Sequence, residues 1–148
     1  MNSRTDTDRI VQTVTINASL DRVWGLVTEP GWWVPTDAPQ AVDLTPGHQV
    51  TRTSEKYGAF PIEVVRVDPK TYAAFRWAST FPGEALAKDN ATLVEFTVTP
   101  LADGIEVTVT ESGFATLNAS ESVRVSGFES NTSGWSECLD NLKTQAEQ

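Results

Sequence analysis

The chain has 148 residues, a length that suits one domain with a full hydrophobic core. Eleven basic residues against twenty acidic ones give a formal net charge of -9, which disfavours nucleic acid and anionic lipid headgroups as partners. The single cysteine, Cys138, excludes an intramolecular disulfide, and its place among apolar residues at helical spacing predicts a core residue rather than a nucleophile.

The pattern of a strand begins only after a polar N-terminal segment. Residues 1–8 contain no apolar stretch long enough for a signal peptide or a membrane span, and we expect them to form a disordered tail. A single domain is expected over residues 9–146, located in the cytoplasm and without membrane insertion. Its first strand is indicated by Ile10, Val14 and Ile16, which share one face of a segment rich in β-branched residues.

A short helix is predicted after the first strand. Asn17 or Ser19 can cap its N-terminus, and Asp21 suits the positive end of its dipole. Pro30 and Gly31 are expected to end it, because the residue before a proline is pushed out of the α region and glycine breaks what remains.

The adjacent tryptophans Trp32 and Trp33 follow this break, on a second short helix or a turn. Two adjacent tryptophans are not expected to point into the same core. The sequence therefore predicts that one of them faces the mouth of a cavity or a partner. The alternative is that both pack the junction of the two short helices.

The middle of the chain alternates between apolar and polar residues, as strands do. Two strong turn signals, at residues 68–70 and 102–104, predict antiparallel hairpins and hence a meander. A short strand is predicted at 41–44, and longer strands at about 48–56, 60–67, 72–78, 91–99 and 105–112. Arg76 is expected on the outer face of this sheet, paired with Glu63 or Glu95.

A long C-terminal helix closes the order of elements. Residues 118–121 fit a capping box, and Gly127 together with the polar cluster 130–133 leaves open an interruption of the helix. Trp135, Cys138, Leu139 and Leu142 form one apolar stripe. That stripe must be buried against the sheet, and a helix closing over a curved sheet predicts a container.

Several segments in this order resemble the START-like (SRPBCC) superfamily. They are residues 18–24, the tryptophan pair 32–33, the turn at 46–47, the aromatic strand end 75–77 and the helix 134–142. Within the superfamily the chain is most similar to bacterial homologues of the activator of the 90-kDa heat-shock chaperone ATPase. The resemblance covers nearly the whole chain.

The resemblance implies an α+β helix-grip fold. In that fold a curved antiparallel sheet of about six strands wraps a long C-terminal helix, with two short helices after the first strand. It also implies a cavity between sheet and helix, which members of the superfamily use for lipids, sterols, polyketides or other apolar molecules. A few members have turned the cavity into an active site, so the fold does not fix the function.

A set of mostly aromatic, inward-facing residues is the candidate ligand site. For each of these residues plain core packing is the alternative, because aromatic side chains at strand or helix spacing are common in cores. The set consists of Trp32, Trp33, Phe60, Phe75, Trp77, Phe96, Val109, Glu111, Phe114 and Trp135.

Glu111 and His48 are the only candidate catalytic residues. Glu111 continues the inward face of Ile105, Val107 and Val109, where a carboxylate must be paired, hydrated or protonated, with a raised pKa. The alternative is that the strand ends at the preceding residue and Glu111 is solvated. His48, the sole histidine, fits a general base only if the fold brings a partner to it; otherwise it is an exposed turn residue.

Three classes of function remain open, and none needs a metal or a cofactor, for which the sequence offers no ligand spacing. The favoured one is a module that binds a small apolar or amphipathic molecule in the cavity. The second is a protein-interaction module, resembling the chaperone activator, with an exposed patch of Trp33, Val34 and Phe81. The third is a small cyclase, dehydratase or hydrolase in which Tyr57 or Tyr72 assists the acid or base. These functions are compatible with a chaperone as partner and with either a monomer or a homodimer.

Overall fold

The computed structural model describes residues 8–34, 43–54, 58–81 and 83–148. Six strands form one antiparallel sheet, and a long helix packs against it. The strands are β1 (Arg9–Ile16), β2 (Gln49–Ser54), β3 (Gly58–Asp68), β4 (Tyr72–Trp77), β5 (Thr92–Leu101) and β6 (Gly104–Ser112). The helices are α1 (Leu20–Val27), the short 3-10 helix Phe114–Thr116, and α2 (Glu121–Ala146). This confirms the predicted α+β helix-grip fold.

The sheet order β1-β6-β5-β4-β3-β2 confirms the predicted meander from β2 to β6. β1 joins the sheet beside β6, with Ile10 opposite Glu111 and Ile16 opposite Ile105. The pairing of β3 with β4 shifts by one residue between Val64 and Arg66. Of the short strand predicted at 41–44, residues 41–42 lie outside the described residues, and Asp43 and its neighbour are not in a strand.

Helix α1 begins at the second of the two predicted caps. Ser19 Oγ accepts a hydrogen bond from Arg22 N at 3.1 Å, and the helix ends at Val27. Two short helices are predicted after β1, and within the described residues only α1 forms. Instead of a second helix, Trp32 lies on a turn in which its N donates to Glu29 O at 3.0 Å.

Helix α2 runs without interruption through Gly127 and residues 130–133. Its N-cap is Ser120, whose Oγ accepts from Val123 N, so the capping box predicted to begin at Asn118 is wrong by two residues. At Gly127 the helix passes close to Thr80, because a Cβ there would come within 2.7 Å of Thr80 Oγ1. The glycine thus permits a close contact rather than a break. Within the described part of the chain, no helix is long and apolar enough to cross a membrane.

Helix α2 is held to the concave face of the sheet by an apolar stripe and to β1 by polar contacts. The buried stripe consists of Trp135, Leu139, Leu142 and Ala146. Gln12 Nε2 of β1 donates to Thr132 O at 2.8 Å, and Lys143 Nζ donates to Thr15 O at 3.0 Å. These bonds fix the helix along the β1 side of the sheet.

The outer face of the sheet carries its charged pairs. Arg76 lies opposite Glu63 on β3 and donates to it at 3.0 Å, as predicted. Glu95, the alternative partner, instead accepts a hydrogen bond from the Tyr72 hydroxyl at 2.5 Å. Tyr72 therefore lies on the face opposite the helix.

Candidate functional site

The centre of the site is the side chain of Glu111, which is 0% exposed although it carries a carboxyl group. Strand β6 continues past it to Ser112, so the inward face that begins at Ile105 includes Glu111. The alternative in which the strand ends before Glu111 and leaves it solvated is wrong.

Four side chains donate hydrogen bonds to this carboxyl group. Trp135 Nε1 and Asn131 Nδ2, both from α2, bind Oε1 at 2.8 and 3.0 Å. Trp77 Nε1 of β4 and Thr92 Oγ1 of β5 bind Oε2 at 2.9 and 2.5 Å. No lysine, arginine or histidine in the described residues bonds to Glu111, so its donors are all neutral. The group joins the sheet to the helix at one buried point.

Burial raises the pKa of Glu111, and the hydrogen bonds from Thr92, Trp135, Trp77 and Asn131 oppose that rise without cancelling it. Indole N–H groups and an amide NH₂ group can only donate, whereas a threonine hydroxyl can donate or accept. Thr92 is therefore the partner able to accept a hydrogen bond from the O–H group of neutral Glu111, and its distance of 2.5 Å suits either direction.

We expect the stability that Glu111 contributes to fall as pH rises. Its pKa is higher in the folded than in the unfolded protein, so between those two pKa values, from about pH 4.3 upward, the folded state holds more protons. Raising the pH through this interval therefore favours unfolding. The measurement is the free energy of unfolding of wild type and Glu111→Gln across this range: the advantage of wild type should shrink as pH rises. An advantage that grows would mean that the donors outweigh burial.

Five further aromatic rings surround the indoles of Trp77 and Trp135 and pack on one another. Phe96 of β5 touches several of these rings, including Trp32, Trp33 and Trp135, with ring centroids 5.4, 5.5 and 5.7 Å away. We call this group the aromatic cluster: Trp32, Trp33, Phe60, Phe75, Trp77, Phe96 and Trp135. It joins β3, β4, β5, α2 and the turn after α1.

Both adjacent tryptophans belong to the aromatic cluster, so the prediction that they cannot enter the same core is wrong. Trp33 is 5% exposed and Trp32 is half-buried, and their rings meet edge to face at 6.1 Å. The prediction assumed the side-chain directions of a strand or helix, whereas the pair lies on a turn after Gly31, whose φ is +76°. Val34 is also buried, so the predicted exposed patch does not form, and its third member, Phe81, is half-buried.

The indole N–H groups of Trp32 and Trp33 are buried and have no acceptor among the described residues. In this they differ from Trp77 and Trp135, whose N–H groups bind Glu111. A buried donor without an acceptor costs about 1–3 kcal/mol. Buried polar groups are paired in most folded proteins, so two such donors on adjacent residues need an explanation.

The other predicted ligand residues lie around this cluster. Val109 is buried on the same face of β6 as Glu111. Phe114 is buried in the 3-10 helix, where its ring meets Phe128 of α2 at 5.4 Å. Cys138 is half-buried, and its Sγ donates to Trp33 O at 3.4 Å. Burial raises the pKa of the Cys138 thiol to about 11, which keeps it protonated at neutral pH.

The residues predicted to assist catalysis are not brought to Glu111. His48 Nδ1 lies 3.7 Å from an oxygen of Asp43 and is partly exposed. Tyr72 lies on the outer face beside Glu95. Burial, together with the hydrogen bond to Glu95, raises the pKa of Tyr72 to about 12. Tyr57 lies outside the described residues. Nor do the described residues contain a group of three side chains placed to hold a metal ion.

Two partners of Glu111, Thr92 and Asn131, were not predicted from the sequence. Asn131 belongs to the polar cluster 130–133, at which the sequence leaves open an interruption of the helix, yet it lies one helical turn before Trp135 and therefore shares its face. That spacing is the signal that could have identified it. Thr92 begins β5 opposite Trp77, which only the strand register shows.

One family model matches the chain, and several solved structures share its fold. A sequence model of the family described as Activator of Hsp90 ATPase homolog 1-like protein matches residues 17–147. The structure is similar to protein MLL2253 from Mesorhizobium loti, with a TM-score of 0.69 and 20% identity over 95% of this chain and 99% of that one. It is similar to the Aha1 dimer from Colwellia psychrerythraea, with a TM-score of 0.70 and 16% identity over 94% and 96% of the two chains.

A third similar structure is DynU16, a protein of the dynemicin biosynthetic locus, with a TM-score of 0.67 and 25% identity. The match covers 93% of this chain and 46% of DynU16, so the chain spans about half of that protein. No curated protein sequence matches the chain.

Proposed function

Since the chain belongs to the Activator of Hsp90 ATPase homolog 1-like family of START-like proteins, we propose that it binds a small apolar or amphipathic molecule between the sheet and α2. The observation that supports this most is the composition of the interior there. Aromatic rings from three strands, α2 and a turn meet around one buried carboxyl group. Apolar walls with a few convergent polar groups are typical of small-molecule sites.

The experiment is native mass spectrometry of gently purified protein, followed by denaturation and identification of any released compound. The matched variants are Trp32→Ala, in the aromatic cluster, and Trp24→Ala, a half-buried tryptophan of α1. Both remove an indole of similar exposure. We expect Trp32→Ala to lower the occupancy by a co-purified compound at least tenfold, because it removes part of the binding wall, and Trp24→Ala to retain it.

Equal occupancy in the two variants would contradict the proposed site. Protein that is empty after purification from several hosts would contradict the binding function itself. Thermal unfolding of both variants serves as the control, since loss of a core tryptophan lowers stability in either position.

A protein-interaction module is the second candidate, and it rests on the family and on the likeness to the Colwellia psychrerythraea Aha1 dimer. The patch predicted for such contacts is buried at Trp33 and Val34, so another surface would have to serve. The same native mass spectrum tests this candidate, because a dimer or a bound protein appears directly in the measured mass.

A further inference from the structure

The unpaired indole N–H groups of Trp32 and Trp33 indicate which functional group the bound molecule carries. Trp77 and Trp135 of the same cluster have an acceptor in Glu111, whereas the two turn residues have none in the part of the chain that the structure describes. A buried donor is stabilised by any acceptor that replaces the water it has lost. A ligand that carries an acceptor would supply what the fold itself does not.

The two rings occupy the space in which such a ligand would lie. Trp33 meets the rings of Phe75, Phe96 and Trp135 at 5.5–5.6 Å, between the sheet and α2. Because the Trp33 nitrogen is buried, an acceptor can reach it only if the rings move.

Movement of the two tryptophans on their turn would break no backbone hydrogen bond of the sheet, although Cys138 Sγ donates to Trp33 O. The turn is closed by the bonds from Trp32 N to Glu29 O at 3.0 Å and from Val34 N to Gly31 O at 2.9 Å. Neither residue belongs to a strand ladder or to α2, whose backbone bonds would otherwise have to break.

Glu111 restricts the charge of the ligand. Its two oxygens already receive four donors, so little capacity remains for a cationic or amine ligand. A ligand anion would lie in the same low-dielectric interior as this carboxyl group and would be repelled by its ionised form. A neutral molecule fits both conditions.

We propose that Trp32 and Trp33 are the ligand's hydrogen-bond donors, and that the ligand is a neutral apolar molecule bearing a carbonyl oxygen, which enters by displacing the two indole rings. The inference rests on the proposed function and deepens it. It assigns specificity to two residues of a turn rather than to the sheet or the helix.

Fluorenone and fluorene are the probes that test this, because they share a flat apolar skeleton and differ in one carbonyl group. Equilibrium dialysis should show fluorenone binding to wild type about tenfold more tightly than fluorene, the ratio expected for one buried hydrogen bond. Trp32→Phe and Trp33→Phe keep a ring but remove the N–H group. Together in one chain they should bring the ratio to within twofold of one, while the affinity for fluorene changes less than threefold.

Trp24→Phe is the matched control and should keep the wild-type ratio. A merely structural role of the two indoles would shift the affinities for both probes alike and leave their ratio unchanged. An unchanged ratio, or equal affinities in wild type, would overturn the inference and leave the binding function standing. Failure of both probes to bind would overturn the ligand class proposed here, and the co-purified compound would still decide the binding function.

Discussion

Replacing Glu111 by alanine is expected to destabilise the protein by about 4 kcal/mol, the largest effect of any single substitution considered. The carboxyl group is fully buried and joins β6 to β4, β5 and α2. Removing it leaves Trp77 and Trp135 with buried N–H groups, at about 1–3 kcal/mol each, and opens a cavity. Chemical denaturation at pH 7 measures the loss, and Tm should fall by roughly 10 °C.

Glu111→Gln separates the shape of this side chain from its acceptor capacity. Glutamine fills the same space but directs an NH₂ group at donors, so we expect a loss of about 2 kcal/mol, smaller than for alanine. Glu106→Gln is the matched control, since Glu106 is half-exposed on the same strand and should change stability by no more than about 0.5 kcal/mol. If Glu111→Ala and Glu106→Gln behaved alike, the buried network would have no structural role.

Arg52→Met is expected to destabilise the protein by about 3 kcal/mol. The Arg52 side chain is 1% exposed, forms an ion pair with Glu29 and donates from Nε to Pro30 O at 2.9 Å. It therefore attaches the start of the tryptophan turn to the edge strand β2. Breaking a buried ion pair costs about 3–5 kcal/mol, and the lower end applies because Glu29 is partly exposed and can be rehydrated. Urea denaturation measures the change.

Two variants show whether this effect belongs to the buried contact. Arg66→Met removes an arginine of the exposed pair with Asp68 and should change stability by no more than about 0.5 kcal/mol. Arg52→Lys keeps the charge but lacks the planar guanidinium, so it should recover only part of the loss. A wild-type stability in Arg52→Met would show that the turn is held by its other contacts alone.

Most of the fold could be predicted from the sequence because its signals are local. Alternation of apolar residues identified the strands from β2 to β6, and the turn residues around Pro69 and Gly104 identified two hairpins. The stripe that begins at Trp135 identified the buried face of α2. The cap of α2 was placed two residues early, because Asn118 and Ser120 both suit an N-cap and only the backbone angles distinguish them.

The site was predictable only in part, because its contacts join residues that are distant in sequence. The face that Glu111 continues makes it a candidate buried acid, with a solvated strand end as the alternative, but its partners Trp77 and Thr92 lie 34 and 19 residues away on other strands. The strand register and the crossing of α2 determine which side chains meet there. The directions of Trp32 and Trp33 depend on the conformation of one turn, for which two residues give no periodicity.

The order of the strands along the chain delays the pairing of β1 during synthesis. Of the six strands β1 is synthesised first, yet its ladder partner β6 comes about a hundred residues later, as in the pair Thr13 and Thr108, 95 residues apart. Its contact with α2 at Lys143 spans 128 residues. At about 5–20 residues per second, β1 waits roughly 5–20 s for its partner strand. During this interval a segment rich in isoleucine, valine and threonine stays unpaired, so we expect nascent β1 to be prone to aggregation until β6 is made.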